Sequence, residues 1–84
     1  MYKDLLEYIV KKLVQNPEDV KIVETERDEK LVLKLHVDKE DMGRIIGKEG
    51  RIIRSIRELI YAYAMKESKK VLVEVEENKS ENEE

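Results

Sequence analysis

Gly47 and Gly50 stand three residues apart with Lys48 and Glu49 between them, and Arg44, Arg51 and Arg54 lie to either side. Glycine reaches backbone conformations that other side chains forbid, and it lets a second molecule touch the main chain. A helix that begins just after such a pair offers unpaired N–H groups and the positive end of its dipole to an anion. Lys48 and Arg51 add cationic charge at the same place, so these residue types at this spacing suit a phosphodiester. Glu49 works against them, since its carboxylate stands where a phosphate would approach. The plain alternative is a glycine pair that ends one helix and starts the next.

The chain of 84 residues carries a formal net charge of -3, which by itself argues against a polyanionic partner. Its distribution argues the other way. Residues 43–57 hold Arg44, Lys48, Arg51, Arg54 and Arg57 against Glu49 alone, a local charge of +4, while residues 74–84 hold six glutamates against Lys79, a charge of -5. Anion binding follows local clusters rather than the whole-chain sum.

Other chemistries find little support. The chain has no cysteine and one histidine, His36, so thiolate nucleophiles, disulfides and multi-histidine metal sites are absent from the expectation. His36 shares the polar side of its segment with Lys34, and no nucleophile, base and orienting group assemble around it. The carboxylates are interspersed with basic residues, as in surface ion pairs. A Walker loop requires Gly-x-x-x-x-Gly-Lys followed by Ser or Thr, whereas Gly43 precedes Gly47 by only four and Glu49 occupies the hydroxyl position. There is no Phe or Trp, and Tyr2, Tyr8, Tyr61 and Tyr63 all fall on expected helices, so a strand-borne base-stacking platform is not expected. The expectation is therefore no catalytic residue, no metal and no cofactor. No apolar run approaches the roughly 18 residues that span a bilayer, and no signal peptide opens the chain, which predicts a cytoplasmic protein without a membrane partner.

Elements that could position the glycine pair are legible in the periodicity. Apolar residues at Tyr2, Leu5, Leu6, Ile9, Val10 and Leu13 predict a helix over residues 2–14, ended by Asn16-Pro17. Residues 20–26 and 30–37 read as two strands joined by Arg27-Asp28-Glu29, the second with Leu31, Leu33, Leu35 and Val37 on one face and Val32, Lys34 and His36 on the other. Asp38 caps a brief helical segment over 39–46 that Gly43 interrupts. A longer helix follows from Arg51 to about Lys66, and alternating Val71, Val73 and Val75 form a third strand. The order is α-β-β-α-α-β over residues 1–76. Residues 77–84 contain nothing apolar and are expected to be a disordered acidic tail.

On the long helix, Arg51, Arg54 and Glu58 cluster opposite Ile52, Ile56, Leu59 and Tyr63, and Ile53, Ile60 and Ala64 widen the apolar stripe. Two readings stay open: both halves of the stripe are core, or the half carrying Ile53, Ile60 and Ala64 is a dimer surface.

The run Ile45-Ile46-Gly47-Lys48-Glu49-Gly50-Arg51-Ile52-Ile53-Arg54-Ser55-Ile56 closely resembles the signature of KH domains, an aliphatic pair, Gly-x-x-Gly, two residues and an aliphatic. The element order resembles the type II form, an α+β fold with three helices packed against a three-stranded sheet. Asp41-Met42-Gly43-Arg44, the length and the N-terminal helix resemble the small bacterial single-domain KH proteins of the KhpA family, over about residues 2–76. The resemblance implies a non-enzymatic RNA-binding protein, an RNA chaperone or post-transcriptional regulator. In it Gly47, Lys48, Glu49 and Gly50 grip the backbone of about four single-stranded nucleotides, helped by Arg44, Arg51 and Arg54. It also implies a hydrophobic groove beside the loop, with Ile45, Ile46, Ile52 and the second strand as candidates. A homodimer, or a heterodimer with a larger KH-containing protein, is implied as well, and an adaptor that uses the fold mainly for assembly is the alternative function.

Overall fold

The computed structural model describes residues 2–77, and within them the expected order holds. Helix α1 spans Tyr2–Leu13, strand β1 Lys21–Arg27, strand β2 Lys30–Val37, helix α2 Met42–Ile46, helix α3 Arg51–Lys66 and strand β3 Val71–Glu77. Single 3-10 turns at Pro17–Asp19, Lys39–Asp41 and Lys48–Gly50 connect them. Pro17 sits where the missing N–H costs nothing, at the start of its turn. Asp38 caps the next one as expected, its carboxylate accepting from the Glu40 N–H at 3.0 Å. Strand β3 takes in Glu77, the first residue assigned to the tail, and residues 78–84 lie outside the described residues.

The β1–β2 hairpin closes with Asp28 and Glu29, both at positive φ (55° and 66°). Two left-handed residues give a turn whose twist matches the strands it joins. Asp and Glu adopt it less readily than Asn-Gly, which is why the sequence marks this turn only weakly. The sheet order is β1-β2-β3, with β1 antiparallel and β2 parallel to β3. A parallel neighbour requires a crossover, and α2 and α3 supply it.

Leu33, Leu35 and Val37 of β2 and Val71 and Val73 of β3 are buried beneath Leu6 and Val10 of α1, Ile45 of α2, and Ile53, Ile56, Ile60 and Ala64 of α3. Three helices thus cover one face of the sheet. On the other face Arg27 of β1 and Glu74 of β3 meet at 3.3 Å across the central strand, over the row that holds the fully buried Val32. Ile53, Ile60 and Ala64 are only 5%, 0% and 2% exposed, so of the two readings of this stripe the core one holds, and these dimer candidates belong to the chain's own core. The physical reason is their spacing: at 53, 56, 60 and 64 the side chains form one line along α3 that faces the sheet directly.

Two polar contacts pin the helical layer at opposite ends. At one end the Tyr2 hydroxyl donates to the Glu67 carboxylate at 2.5 Å, and the Tyr2 and Tyr63 rings pack at 4.9 Å. That bond, with burial, pushes the Tyr2 hydroxyl up to about 12. At the other end the buried Asp41 carboxylate accepts from the Gln15 N–H (3.0 Å), the Asn16 N–H (3.0 Å) and the Asn16 side-chain amide (3.1 Å), with Arg44 Nε 3.7 Å away. The bond from the Gln15 N–H leads in holding Asp41 below the usual carboxylate range; burial opposes it, and the Asn16 bonds and Arg44 reinforce it. The end of α1 is thereby tied to the start of α2.

A carboxyl whose folded pKa is lowered contributes stability that is full above the ordinary aspartate value of about 3.9 and is lost as pH falls through the folded value. Asp41→Asn removes this contribution, since an amide presents one acceptor where three donors converge. Urea titrations from pH 7 to pH 2 should show the variant less stable at neutral pH and the gap from the parent narrowing below about pH 4. A gap that stays constant across that range would mean that Asp41 acts by shape alone.

Candidate nucleic-acid interface

Gly47 ends α2, its N–H donating to the Gly43 carbonyl at 2.9 Å, and it adopts φ 77°, ψ 175°. That combination is open essentially to glycine alone. A Cβ there would lie 2.6 Å from Ile52 Cγ1 and 2.9 Å from Ile52 Cβ. The loop backbone therefore rests directly on the Ile52 side chain. Gly50 differs. It is left-handed (φ 74°), but a Cβ would meet nothing within 4 Å. Gly47 is required by packing as well as conformation, and Gly50 by conformation alone, with open space at its α-carbon.

Between the glycines, Glu49 is also left-handed (φ 57°, ψ 26°), and the turn closes through the Gly50 N–H to the Gly47 carbonyl (3.1 Å) and the Arg51 N–H to the Lys48 carbonyl. Two left-handed residues in succession turn the chain so that α3 begins at once. The Glu49 carboxylate lies 3.7 Å from an Arg51 guanidinium nitrogen, with both side chains about 70% exposed (70% and 72%). An anion arriving at Arg51 thus competes with an internal carboxylate, weakly held because it is solvated. Lys48 and Arg54 are exposed and have no ion pair among the described residues.

Arg51, Arg54 and Arg57 repeat every three residues, so each is rotated by about 60° from the last and the row winds around α3. It starts in solvent at the loop and ends against the sheet. Arg57, counted in the sequence with the basic cluster, is part-buried, and its Nε donates to the Val73 carbonyl at 3.1 Å. Beside it the Val73 N–H donates to the Tyr61 hydroxyl at 3.4 Å. β3 is an edge strand, and α3 thereby occupies both main-chain groups that Val73 turns outward. No sequence signal distinguishes Arg57 from its neighbours, because only the packing of α3 on β3 determines which arginine meets the strand edge.

The remaining expected site residues divide. Arg44 is half-exposed and leans toward Asp41. Ile46 is part-buried against the core. Ile45 is wholly buried, so it supports the loop from beneath and lines no groove, a correction to its expected place. Ile52 is 37% exposed and carries Gly47. Among the described residues no group of three or more His, Cys, Asp or Glu could hold a metal ion, and no helix is long and apolar enough to cross a membrane.

Three helices on one face of a β1-β2-β3 sheet, a parallel β2–β3 pair and a Gly-x-x-Gly turn opening α3 define a KH domain of type II. The chain belongs to the KhpA/KhpB KH-domain family, whose profile matches residues 3–75. It is 51% identical over 73 residues to the RNA-binding protein KhpA of Clostridium perfringens, covering 87% of this chain and 97% of that one. It is 52% identical over 73 residues to KhpA of Listeria monocytogenes (87% and 96% covered) and 41% identical over 73 residues to KhpA of Bacillus subtilis (87% and 90%). Among solved structures, Era from Aquifex aeolicus bound to GDP.AlF4- aligns with a TM-score of 0.60 at 17% identity, over 90% of this chain and 29% of that one. Era in complex with MgGDPNP and nucleotides 1506–1542 of 16S ribosomal RNA aligns equally, at 0.60 and 18%, again over 90% and 29%. The chain thus spans under a third of Era, and that likeness is one of fold.

The two glycines should respond unequally to alanine. Gly47→Ala should cost about 2–5 kcal/mol, conformational strain and overlap with Ile52 combined, while Gly50→Ala should cost about 1–2 kcal/mol from its left-handed φ alone. Adding Ile52→Ala to Gly47→Ala should recover part of the loss in a denaturation double-mutant cycle. Additive effects, or equal costs at both glycines, would contradict the packing of the loop on Ile52.

Proposed function

We propose that this chain is a binding module, not an enzyme, which grips the sugar-phosphate backbone of about four nucleotides of single-stranded RNA at residues 47–50. The observation that carries this is the loop: a turn forced by Gly47, open space at Gly50, and Lys48, Arg51 and Arg54 exposed around it. The names of its relatives support RNA as the polymer. On this reading the strand enters at the loop and follows the arginine row toward β3, in the cytoplasm, where the protein acts as an RNA chaperone or post-transcriptional regulator. Binding of this kind tracks the backbone, with Ile46 and Ile52 as the apolar surface beside it.

A second reading concerns assembly, and one observation favours it. Ile52 and Leu59, two helical turns apart, are 37% and 59% exposed on the flank of α3 opposite its arginines. A homodimer, or a heterodimer with a larger KH-containing protein, would cover this flank and leave the basic row free. The two readings share Ile52 and part beyond it, the adaptor reading toward Leu59 and the RNA reading toward the arginine row.

Anisotropy titrations with a short single-stranded RNA test the first reading. Gly50→Asp, which meets no steric obstacle, should abolish binding with the circular dichroism spectrum retained. Log K should fall with log salt at a slope of about -1.4 to -2, as two to three phosphate contacts require. Glu49→Gln should tighten binding by freeing Arg51. Unchanged affinity in folded Gly50→Asp would refute the cradle. Light scattering tests the second reading: Leu59→Asp should give a folded monomer, whereas Ile60→Asp, with its charge in the core, should give an unfolded chain.

A further inference from the structure

The seam between α3 and β3 does not end where Arg57 and Tyr61 meet Val73. Met65 lies one helical turn beyond Tyr61 and Val71 two residues before Val73, so helix and strand run on together, away from the glycine loop. Between them lies an open groove of about 530 Å³. Tyr61, Met65 and Leu72 supply its apolar surface, and Met65 is 76% exposed. Lys30, Lys69 and Lys70 also line it and no carboxylate does; none of the three lysines has an ion pair among the described residues.

The edge of β3 adds a donor and an acceptor at the same place. Leu31 pairs with Val71 in the parallel ladder, and its N–H donates to the Lys70 carbonyl at 2.9 Å. A residue in a parallel ladder bonds to the two neighbours of its partner, so Lys70, Leu72 and Glu74 turn their main chain toward β2, while Val71 and Val73 turn theirs outward. The outward groups of Val73 are those that Arg57 and Tyr61 occupy. Those of Val71 have no partner among the described residues.

An apolar surface with one aromatic residue, a free N–H and C=O pair, and cations without counter-charges suit the base, the base edge and the phosphate of a nucleotide. A docked peptide strand would need a row of free edge groups, and here the row is interrupted at Val73. Tyr61 joins the groove to the arginine row, since its hydroxyl bonds Val73 and the same residue lines the groove.

We infer that this groove is a second nucleotide site, which takes a base and phosphates of the same single strand beyond the four nucleotides held near the loop. From Arg51 to Met65 helix α3 covers about 21 Å, which separates the two sites. Tyr61 and Met65 face the base, Val71 meets its edge, and Lys30, Lys69 and Lys70 neutralise about two phosphates. The groove thereby favours longer strands without adding charge at the loop, where Glu49 holds Arg51. The inference rests on the RNA reading of residues 47–50.

Anisotropy titrations of the full chain with single-stranded RNA of four and of eight nucleotides test it. For the octamer, log K should fall with log salt more steeply than for the tetramer by about 1.4, two further contacts at about 0.7 each. Lys30→Gln, Lys69→Gln and Lys70→Gln together should weaken the octamer about tenfold at low salt and remove that excess slope, with the tetramer nearly unchanged. Met65→Ala, an exposed change that alters no charge, should weaken the octamer alone, by about threefold. The Val71 amide resonance should shift with the octamer and not with the tetramer. Equal losses for both lengths, or an octamer insensitive to all these changes, overturn the groove and leave the loop reading standing. Octamer binding that survives in folded Gly50→Asp and is lost with the lysines upholds the groove and overturns the loop reading; binding of neither RNA overturns both. A Val71 shift caused by an acidic peptide of alternating Glu and Leu, and not by the octamer, makes the groove a protein-docking edge and refutes the inference.

Discussion

The buried carboxylate of Asp41 is the contact on which the helical layer depends. Helix α2 has five residues, far fewer than a helix needs to persist by its own hydrogen bonds. It is held from below by Ile45, wholly buried, and from its start by Asp41, which joins it to the last residues after α1. Because α2 ends at Gly47, any movement of α2 moves the loop. The carboxylate lies in the interior, but three donors and a nearby arginine satisfy it, so its burial fixes a position instead of leaving an orphan charge.

Helix α3 then serves three neighbours with three faces. The line through Ile53, Ile56, Ile60 and Ala64 fills the core, the arginine row winds from the loop to β3, and Ile52 and Leu59 remain outside on the opposite flank. Sixteen residues suffice because a helix repeats every 3.6, which gives each face four or five positions. Ile52 belongs to two of these roles, since the same side chain that is partly exposed also carries Gly47. Loop geometry and flank chemistry are therefore not independent: enlarging or trimming Ile52 alters both.

Much of this was legible beforehand. Helical spacing identifies α1 and α3, alternation identifies β2 and β3, and the Gly-x-x-Gly signature marks the loop. What periodicity leaves open is the assignment within α3, because a stripe as wide as Ile52, Ile53, Ile56, Leu59, Ile60, Tyr63 and Ala64 has no centre that it alone can find. The sheet supplies it: Ile60 faces the core, and Leu59, one residue earlier and about 100° around the helix, faces solvent. Arg57 is illegible for the same reason: a side chain at the boundary between solvent and strand edge is placed by its neighbour, not by its own sequence context. Asp41 shows the complementary case. Asp near a helix start reads as a dipole or capping residue, yet its bonds go to Gln15 and Asn16, 26 and 25 residues away.

The charge distribution follows from the same division of faces. A chain of net charge -3 can present a cationic site only if the opposing carboxylates are engaged elsewhere or lie at a distance. Glu74 and Glu76 are engaged, paired with Arg27, Lys34 and His36 across the sheet from the helices. Glu49 is the exception, because it sits inside the loop itself. Its left-handed backbone would suit glycine or asparagine better, so its presence costs conformational energy as well as cationic charge at Arg51. A residue unfavourable on both counts lowers the net positive charge of the turn beside Gly50, where the backbone lies open. The fixed geometry of Gly47 on Ile52, more than accumulated charge, therefore sets the shape of this turn.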